Sequence, residues 1–477
     1  MQFPIEFIER LKVISPLDHQ EILEGFDSKT QFGLRLNPSK ITQERLQELI
    51  LDESLQPISH LPYAYFTKYK ERYTKHPLMF TGSYYIQDAG SMAITSLLEV
   101  KEDDYVLDVC ASPGSKSTHI LSYLGNKGYL VANEVTHNRV GRLVENIGLW
   151  GGAKALVCSQ KTEAFLALPQ FFDKILIDAP CSGEGMFGKN SQAISGWSKA
   201  LIKKCASTQK EILSHVLPSL KVGGEFIYST CTMAPEENEE IIEWLLKEFG
   251  DALELVPLND SWGLKGGLES FQNRTFNPSI ARFTRRITPD HPHFRAQAFF
   301  IAKLRLKAPL PSTSFYSKAT KLRFKDPYSL PTRYVEAFFK EMKLPFSQKN
   351  IILLGFYLYH KGNMDASTLK KLLTLLHPVY VGERIASVKK DRLEPYQGLA
   401  TGKEFFFTLG ENEVSLSYED ALEYIKGKDL SLNDGAIKKL KKGFVIVSFK
   451  EFPLGIGKMS QGILKSLFPV TLSKKIL

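Results

Sequence analysis

Cysteine is scarce in this chain: Cys110, Cys158, Cys181, Cys205 and Cys231 are the only five in 477 residues. Their number is odd, no C-x-x-C pair occurs, and all fall within one stretch, which excludes a disulfide scaffold and offers no zinc-ligand spacing. Free thiols in a reducing cytoplasm are expected, with no metal. Long apolar runs are also missing. The longest, IILLGFYLY at 351–359, is well short of the about 20 residues that span a bilayer, so no membrane partner is expected. The opening MQFPIEFIER has neither the basic start nor the small-residue cleavage site of a signal peptide, and a cytoplasmic location is expected.

What the chain does have is length and an uneven charge. Its 477 residues exceed what one hydrophobic core usually organises, so two to four domains are expected. Residues 1–300 hold 31 Lys+Arg against 36 Asp+Glu, whereas 301–477 hold 30 against 16. The net charges of −5 and +14 make the C-terminal part a candidate polyanion-binding module, because neutralising phosphates releases counterions. A lysine-rich solvated surface would have the same composition.

Periodicity divides the chain further. Residues 1–75 read as a small α+β domain, with helical FIERLKVI and ITQERLQELI around a strand-like FGLRLNPS. YIQDAGSMAITSLLEV reads as a helix leading into the main domain, 76–306. There YVLDVC, YLVANE, KALVC, DKILIDAP and GEFIYSTCT alternate with helical segments. That alternation predicts a parallel sheet with helices on both faces, which ALELVPL and AFFIAKLRL would complete to seven strands. The Pro- and Ser-rich stretch that follows reads as a linker, 307–320. An intermediate domain, 321–405, and a terminal domain, 406–477, come after it. In the latter, GFVIVSFKEFPLGIGK reads as two strands about a Glu-Phe-Pro turn.

The first strand of the main domain runs into the turn Cys110-Ala111-Ser112-Pro113-Gly114. Ligands of open α/β sheets bind at that edge, and small residues let the backbone approach them. Glu134 ends the second strand, where a carboxylate can hold both hydroxyls of a ribose, in a dinucleotide or in S-adenosyl-L-methionine alike. A full G-x-G-x-x-G is absent, which argues against a nicotinamide-dependent dehydrogenase. Lys116, inside the turn, needs an anion or a catalytic acid beside it to be worth its desolvation.

The fourth strand ends in Asp178-Ala-Pro-Cys181 and the fifth in Ser229-Thr-Cys231, so parallel pairing would bring both thiols to one rim. Cytosine C5 becomes nucleophilic only after a thiolate adds to C6, and the sulfur must later leave. Asp178 is placed to hydrogen-bond the ring N3. Enzymes that methylate exocyclic amino groups would carry Asp/Asn-Pro-Pro-aromatic here, so Asp-Ala-Pro-Cys favours carbon methylation of a base taken out of its stack. On this logic alone either cysteine can be the nucleophile, with Cys181 the first candidate.

DVCASPGSKST, DAPCSGEGMF and YSTCTMAPEENE closely resemble the three strongest motifs of the Sun/nucleolar-protein family of RNA 5-methylcytosine methyltransferases. RLNPSK, YIQDAGSM, VGERIASVKKDRLEP and LGIGKMSQGILKSLFP extend the resemblance over almost the whole chain, the last two being similar to the bacterial small-subunit ribosomal RNA members. The resemblance implies a Rossmann-like methyltransferase core, a PUA-like terminal domain, S-adenosyl-L-methionine as cofactor and 16S ribosomal RNA or the small subunit as partner, with a monomer sufficing. It makes Cys231 the C6 nucleophile and Cys181 the residue that assists release, with Asp178 and Lys116 in the active site. The turn 110–114, Glu134, Arg139 and the position of Gln160 become cofactor contacts. Arg35, Asn37, Lys389, Lys390, Arg392, Lys458 and Lys465 are candidate RNA contacts. The sequence departs from the family pattern at Gln160, where many members have Asp, and at Gly188 and Asn190, where Arg and Asp are common. RAQAFFIA at 295–302 lacks the frequent Glu-Gly-His-Phe. The competing readings are a non-catalytic RNA-binding assembly factor and a tRNA cytosine-C5 methyltransferase.

Overall fold

The structure, a computed structural model, describes residues 2–15, 18–28, 32–259, 261–310, 332–344, 347–390, 392–402, 412–432 and 440–473. Most of the segment read as a linker, from 311 on, lies outside the described residues.

The main domain is organised by five parallel strands: β1 Tyr105–Asp108, β2 Tyr129–Asn133, β3 Ala155–Cys158, β4 Phe172–Asp178 and β5 Leu220–Thr230. Two antiparallel strands, β6 Leu253–Val256 and β7 Phe299–Leu306, complete the expected seven. Spatial order is β3-β2-β1-β4-β5-β7, with β6 on β7. β2 and β3 are buried at every position, as parallel strands covered on both faces must be. The helix between β2 and β3, His137–Trp150, buries Val140, Leu143 and Ile147 on one face and stops at Gly151, whose φ of 111° is open to glycine.

Strands were added at both edges that the sequence reading does not contain. Arg285–Ile287 and Lys265–Gly266 extend the sheet beyond β7. Tyr380–Val381, from the region read as an independent intermediate domain, pairs antiparallel with β3. The sheet thus has ten strands among the described residues.

The N-terminal part also reaches further than residue 75. Its four-stranded antiparallel sheet centres on Phe32–Leu36, which pairs with Ala64–Thr67 on one side and Tyr84–Ile86 on the other. The helix read from Tyr85 therefore starts only at Ala89. In the terminal domain, strands Gly443–Phe449 and Phe452–Ser460 turn at Lys450 and Glu451 rather than at Glu-Phe-Pro; Lys450 takes the left-handed conformation, with φ 55°.

These parts are not independently buried. Leu34, Tyr73 and Phe80 share one apolar core with Tyr424, Phe449, Leu454 and Phe468 of the terminal domain. Arg35 lies beneath the N-terminal sheet at 1% exposure. Its guanidinium donates to Gln87 Oε1 (2.9 Å), Thr118 Oγ1 (2.6 Å) and the Ser115 carbonyl (3.2 Å), and its centre lies 4.2 Å from the Trp150 ring. Asn37, at 2% exposure, donates to the carbonyls of Gly82 and Trp150. The expectation that Arg35 and Asn37 contact RNA is corrected accordingly: both side chains are spent joining the N-terminal sheet to the main domain.

No described helix is long and apolar enough to cross a membrane.

Candidate active site

Register decides how the two cysteines meet. β4 and β5 are hydrogen-bonded neighbours with Asp178 opposite Ser229, so the chain leaving each strand carries its thiol to the same point. Cys181 Sγ and Cys231 Sγ are 3.0 Å apart, and the Cys231 N–H donates to Cys181 Sγ at 3.3 Å. The contact with Cys231, followed by burial, pushes Cys181 well above the ordinary thiol range. Cys181 is thereby held as a thiol beside its partner. Cys158, fully buried, and Cys205 lie outside the pair, and burial pushes both thiols up.

Asp178 stands next to them with both oxygens engaged. Lys116 Nζ donates to Oδ2 at 2.6 Å, and Ser229 Oγ donates to Oδ1 at 2.8 Å. Burial pulls Lys116 down, but Asp178 and the neighbouring Asp108 outweigh it and leave its pKa raised. Lys116 is therefore a fixed positive charge at the carboxylate.

The rim of β1 to β3 gathers the proposed cofactor residues. Ala111 donates its N–H to the Asn133 carbonyl at 2.8 Å, and Gly114, at φ 105°, opens the helix Ser115–Tyr123. Ser112 and Arg139 are joined twice, Ser112 Oγ donating to the Arg139 carbonyl and the Arg139 guanidinium to that of Ser112. Glu134 is 3% exposed. It accepts the Thr136 N–H at 2.8 Å, with the Arg139 guanidinium 3.3 Å away. The Gln160 backbone is clamped by the Asn133 amide, which accepts its N–H and donates to its carbonyl. Cys110 and Pro113 lie in the same turn, the former with its thiol pushed up by burial.

Sequence reasoning gave no role to Asp108, which ends β1 at this rim. It is 1% exposed; Ser117 donates to Oδ2 at 2.6 Å, while Oδ1 has no hydrogen-bond partner. Burial pushes its carboxyl up to about 7, against the Ser117 hydrogen bond and the charge of Lys116. Raising a carboxyl in the folded state favours its protonated form, so the stability it contributes is complete below about pH 4 and is lost as pH rises to about 7. Asp108→Asn should remove that share of the loss, making the fall of the cofactor-free protein's melting temperature between pH 5 and 8 shallower while the share of Glu237, also pushed up to about 7 by burial, remains. A wild-type slope retained in the variant would refute the assignment. The signal was present in the sequence, as an acid two residues before a glycine-containing turn.

A family model described as 16S rRNA methyltransferase RsmB/F matches residues 95–305. The N-terminal domain of 16S rRNA methyltransferase RsmF matches 3–89, and the methyltransferase RsmF PUA domain matches 411–472. The chain belongs to the RsmB/F methyltransferase family. Ribosomal RNA small subunit methyltransferase F of Vibrio campbellii is 28% identical to it over 98% of this chain and 96% of its own. A methyltransferase homolog protein from Pyrococcus horikoshii superposes with a TM-score of 0.56 at 29% identity, over 64% of this chain and 95% of that one. The structure of NSun6 from Pyrococcus horikoshii with SFG shares the fold, with a TM-score of 0.53 at 23% identity, over 64% and 99%.

Two departures from the RsmB/F pattern have a local cause. At Gly188 a Cβ would lie 2.8 Å from the Phe26 carbonyl of the N-terminal helices, which leaves no room for an arginine. Asn190 caps the helix Ser191–Gly196 by accepting the Gln192 N–H at 2.9 Å, as an aspartate would. In RAQAFFIA, Gln297 is buried and accepts the Gly90 N–H at 3.1 Å.

Of the candidate RNA residues, Lys389, Lys390 and Arg392 are exposed at one hairpin end, where Lys389 and Arg392 both lie near Glu394. Lys458 and Lys465 are exposed and directly opposite each other on paired strands of the PUA domain.

Proposed function

We propose that this chain transfers a methyl group from S-adenosyl-L-methionine to C5 of cytosine in 16S ribosomal RNA. The observation that carries the reading is the pair of thiols 3.0 Å apart beside an Asp178–Lys116 ion pair, at neighbouring carboxyl ends of one parallel sheet.

The residues at the rim of β1 to β3 suit the cofactor. Glu134 offers a buried carboxylate for ribose hydroxyls, the turn 110–114 presents backbone groups, and the unpartnered Asp108 Oδ1 is an acceptor suited to a cationic amine. The cofactor, when bound, supplies an electrophilic methyl group. The protein's own residues do the rest. Cys231 Sγ adds to C6, and the displaced electrons are drawn toward N3. The proton lost by Cys231 passes to that nitrogen, and Asp178, held by Lys116 and Ser229, is the carboxyl placed to relay it. C5 is then nucleophilic and takes the methyl group. Transfer of the C5 proton to solvent water, return of the N3 proton through Asp178 and departure of the C6–S electrons onto the Cys231 sulfur restore the aromatic ring. Cys181, as a thiol, donates to Cys231 sulfur and stabilises it as a thiolate both before attack and on departure.

Lys389, Lys390, Arg392, Lys458 and Lys465 are carried forward as RNA contacts. Like charges directly opposite on paired strands repel, and a phosphate between Lys458 and Lys465 would relieve them. Each phosphate neutralised contributes about 0.7 to 0.9 to the slope of log K against log salt. Lys458→Ala with Lys465→Ala should lower the slope by about 1 to 2, measured by filter binding to 16S RNA, and an unchanged slope would remove this pair from the interface.

Bisulfite mapping of 16S ribosomal RNA from a strain lacking the gene tests the reading as a whole. One or more protected cytosines should become convertible, and protection should return with the wild-type gene. An unaltered map would overturn it.

A further inference from the structure

Two buried glutamates cross between the cysteine loops. Glu184, three residues after Cys181, is 1% exposed, and its Oε2 accepts the Thr232 hydroxyl and the Met233 N–H, each at 2.9 Å. Glu237, six residues after Cys231, is 0% exposed and accepts the Ser182 N–H at 3.0 Å. Each carboxylate thus leaves one cysteine's loop and grips the residues that follow the other cysteine. Each is also anchored to a third element: Trp197 Nε1 donates to Glu184 at 2.9 Å, and Gln209 Nε2 donates both to Glu237 at 2.9 Å and to the Pro180 carbonyl at 3.0 Å.

The two loops are tied once more between the crossing points. Ser182 Oγ and Thr232 Oγ1 are 2.8 Å apart, and Gly185 donates its N–H to the Cys231 carbonyl at 2.8 Å. A Cβ at Gly185 would fall 2.3 Å from the Ala298 carbonyl, so the loop closes this tightly only with glycine. Burying two carboxyls whose hydrogen-bond partners are neutral donors is costly, and packing alone would not require it.

We propose that Glu184 and Glu237 are positioning residues whose reciprocal hydrogen bonds set the separation of Cys181 and Cys231. The inference rests on the reading that this pair performs the chemistry. Because the grip is crossed, the two acids act on different steps. Glu184 holds the nucleophile's loop and governs formation of the RNA adduct; Glu237 holds the Cys181 loop and governs its release. Glutamine in place of either acid keeps the volume but leaves one acceptor oxygen where there were two, so an N–H₂ faces a donor and the grip is weakened without a cavity.

The test uses the full chain, a 16S RNA transcript and labelled S-adenosyl-L-methionine. Glu184→Gln and Thr232→Val should slow adduct formation about 10- to 100-fold, the scale of a misplacement of about 1 Å; Thr232→Ser, which keeps the hydroxyl, should stay within about twofold of wild type. Glu237→Gln should form adduct but retain it, with turnover lowered on the same scale. Cofactor affinity, read by calorimetry, should be unchanged throughout. A second readout needs no RNA: diamide, a two-electron oxidant that takes up the two thiol protons, converts the pair to a disulfide. That rate should fall in the glutamine and valine variants and be retained in Thr232→Ser. Wild-type adduct kinetics and disulfide rates in the variants would overturn the proposal. Should the glutamine variants not fold, the Thr232 pair decides. Methylation that survives Cys231→Ala would defeat the functional reading, and the disulfide rates would still judge the brace.

Discussion

Cys231→Ala is expected to lower methyl transfer to 16S RNA by more than about 10³-fold, the scale on which loss of a covalent nucleophile acts, and to abolish covalent capture of RNA. Cys181→Ala should instead leave an RNA–protein adduct that persists on a denaturing gel. The difference follows from the roles proposed for the pair. In the proposed roles Cys181, whose thiol is pushed up by its contact with Cys231 and by burial, is the donor, and it lies 3.0 Å from the sulfur that must depart. Without that donor the C6–S bond has a poorer leaving group, and the intermediate accumulates. Adduct formation by the Cys231→Ala protein, with none by Cys181→Ala, would reverse the assignment. Equal loss of adduct in both variants would show that the pair works only as a unit.

Arg35→Ala should be the most destabilising single change outside the sheet core. The guanidinium donates to side-chain and carbonyl oxygens of Gln87, Ser115, Thr118 and Ser122, and stacks on Trp150. Truncation leaves several buried acceptors unpaired, at about 1–3 kcal/mol for each that water cannot reach, and forfeits the cation–π contact. A loss on the order of 3–5 kcal/mol is expected, read as a lowered urea midpoint. RNA affinity per folded molecule should keep its salt slope. An unchanged midpoint with a flatter slope would instead return Arg35 to the RNA surface.

Arg35 also shows where sequence reading stops. An arginine beside Asn-Pro-Ser looks like a phosphate contact, because nothing local announces that a helix 80 residues away will supply its acceptors. The same holds for Tyr380–Val381, a two-residue strand too short for periodicity to detect, which exists only because β3 presents an open edge. Gly188 and Asn190 appeared as departures from a family pattern and proved to be a close approach to Phe26 and a helix cap. Glu184 and Glu237 carry no local signal, because acids in a loop are usually solvated, and their burial is decided by residues from four separate segments.

By itself the sequence determined the alternation of buried strands and amphipathic helices, the placing of Cys181, Cys231, Asp178 and Lys116 at strand ends or in the turn that follows, and the uneven charge. Each of these is written in local periodicity or in contiguous residues. Only the tertiary structure decided that β4 and β5 are neighbours in a register that brings two sulfurs to 3.0 Å. It also decided that Lys116 reaches Asp178, that Asp108 is buried with one oxygen unpartnered, and that the N-terminal and terminal parts share a core. These facts depend on distances between residues far apart in the chain, and such distances are fixed by strand pairing and packing, which no single segment encodes.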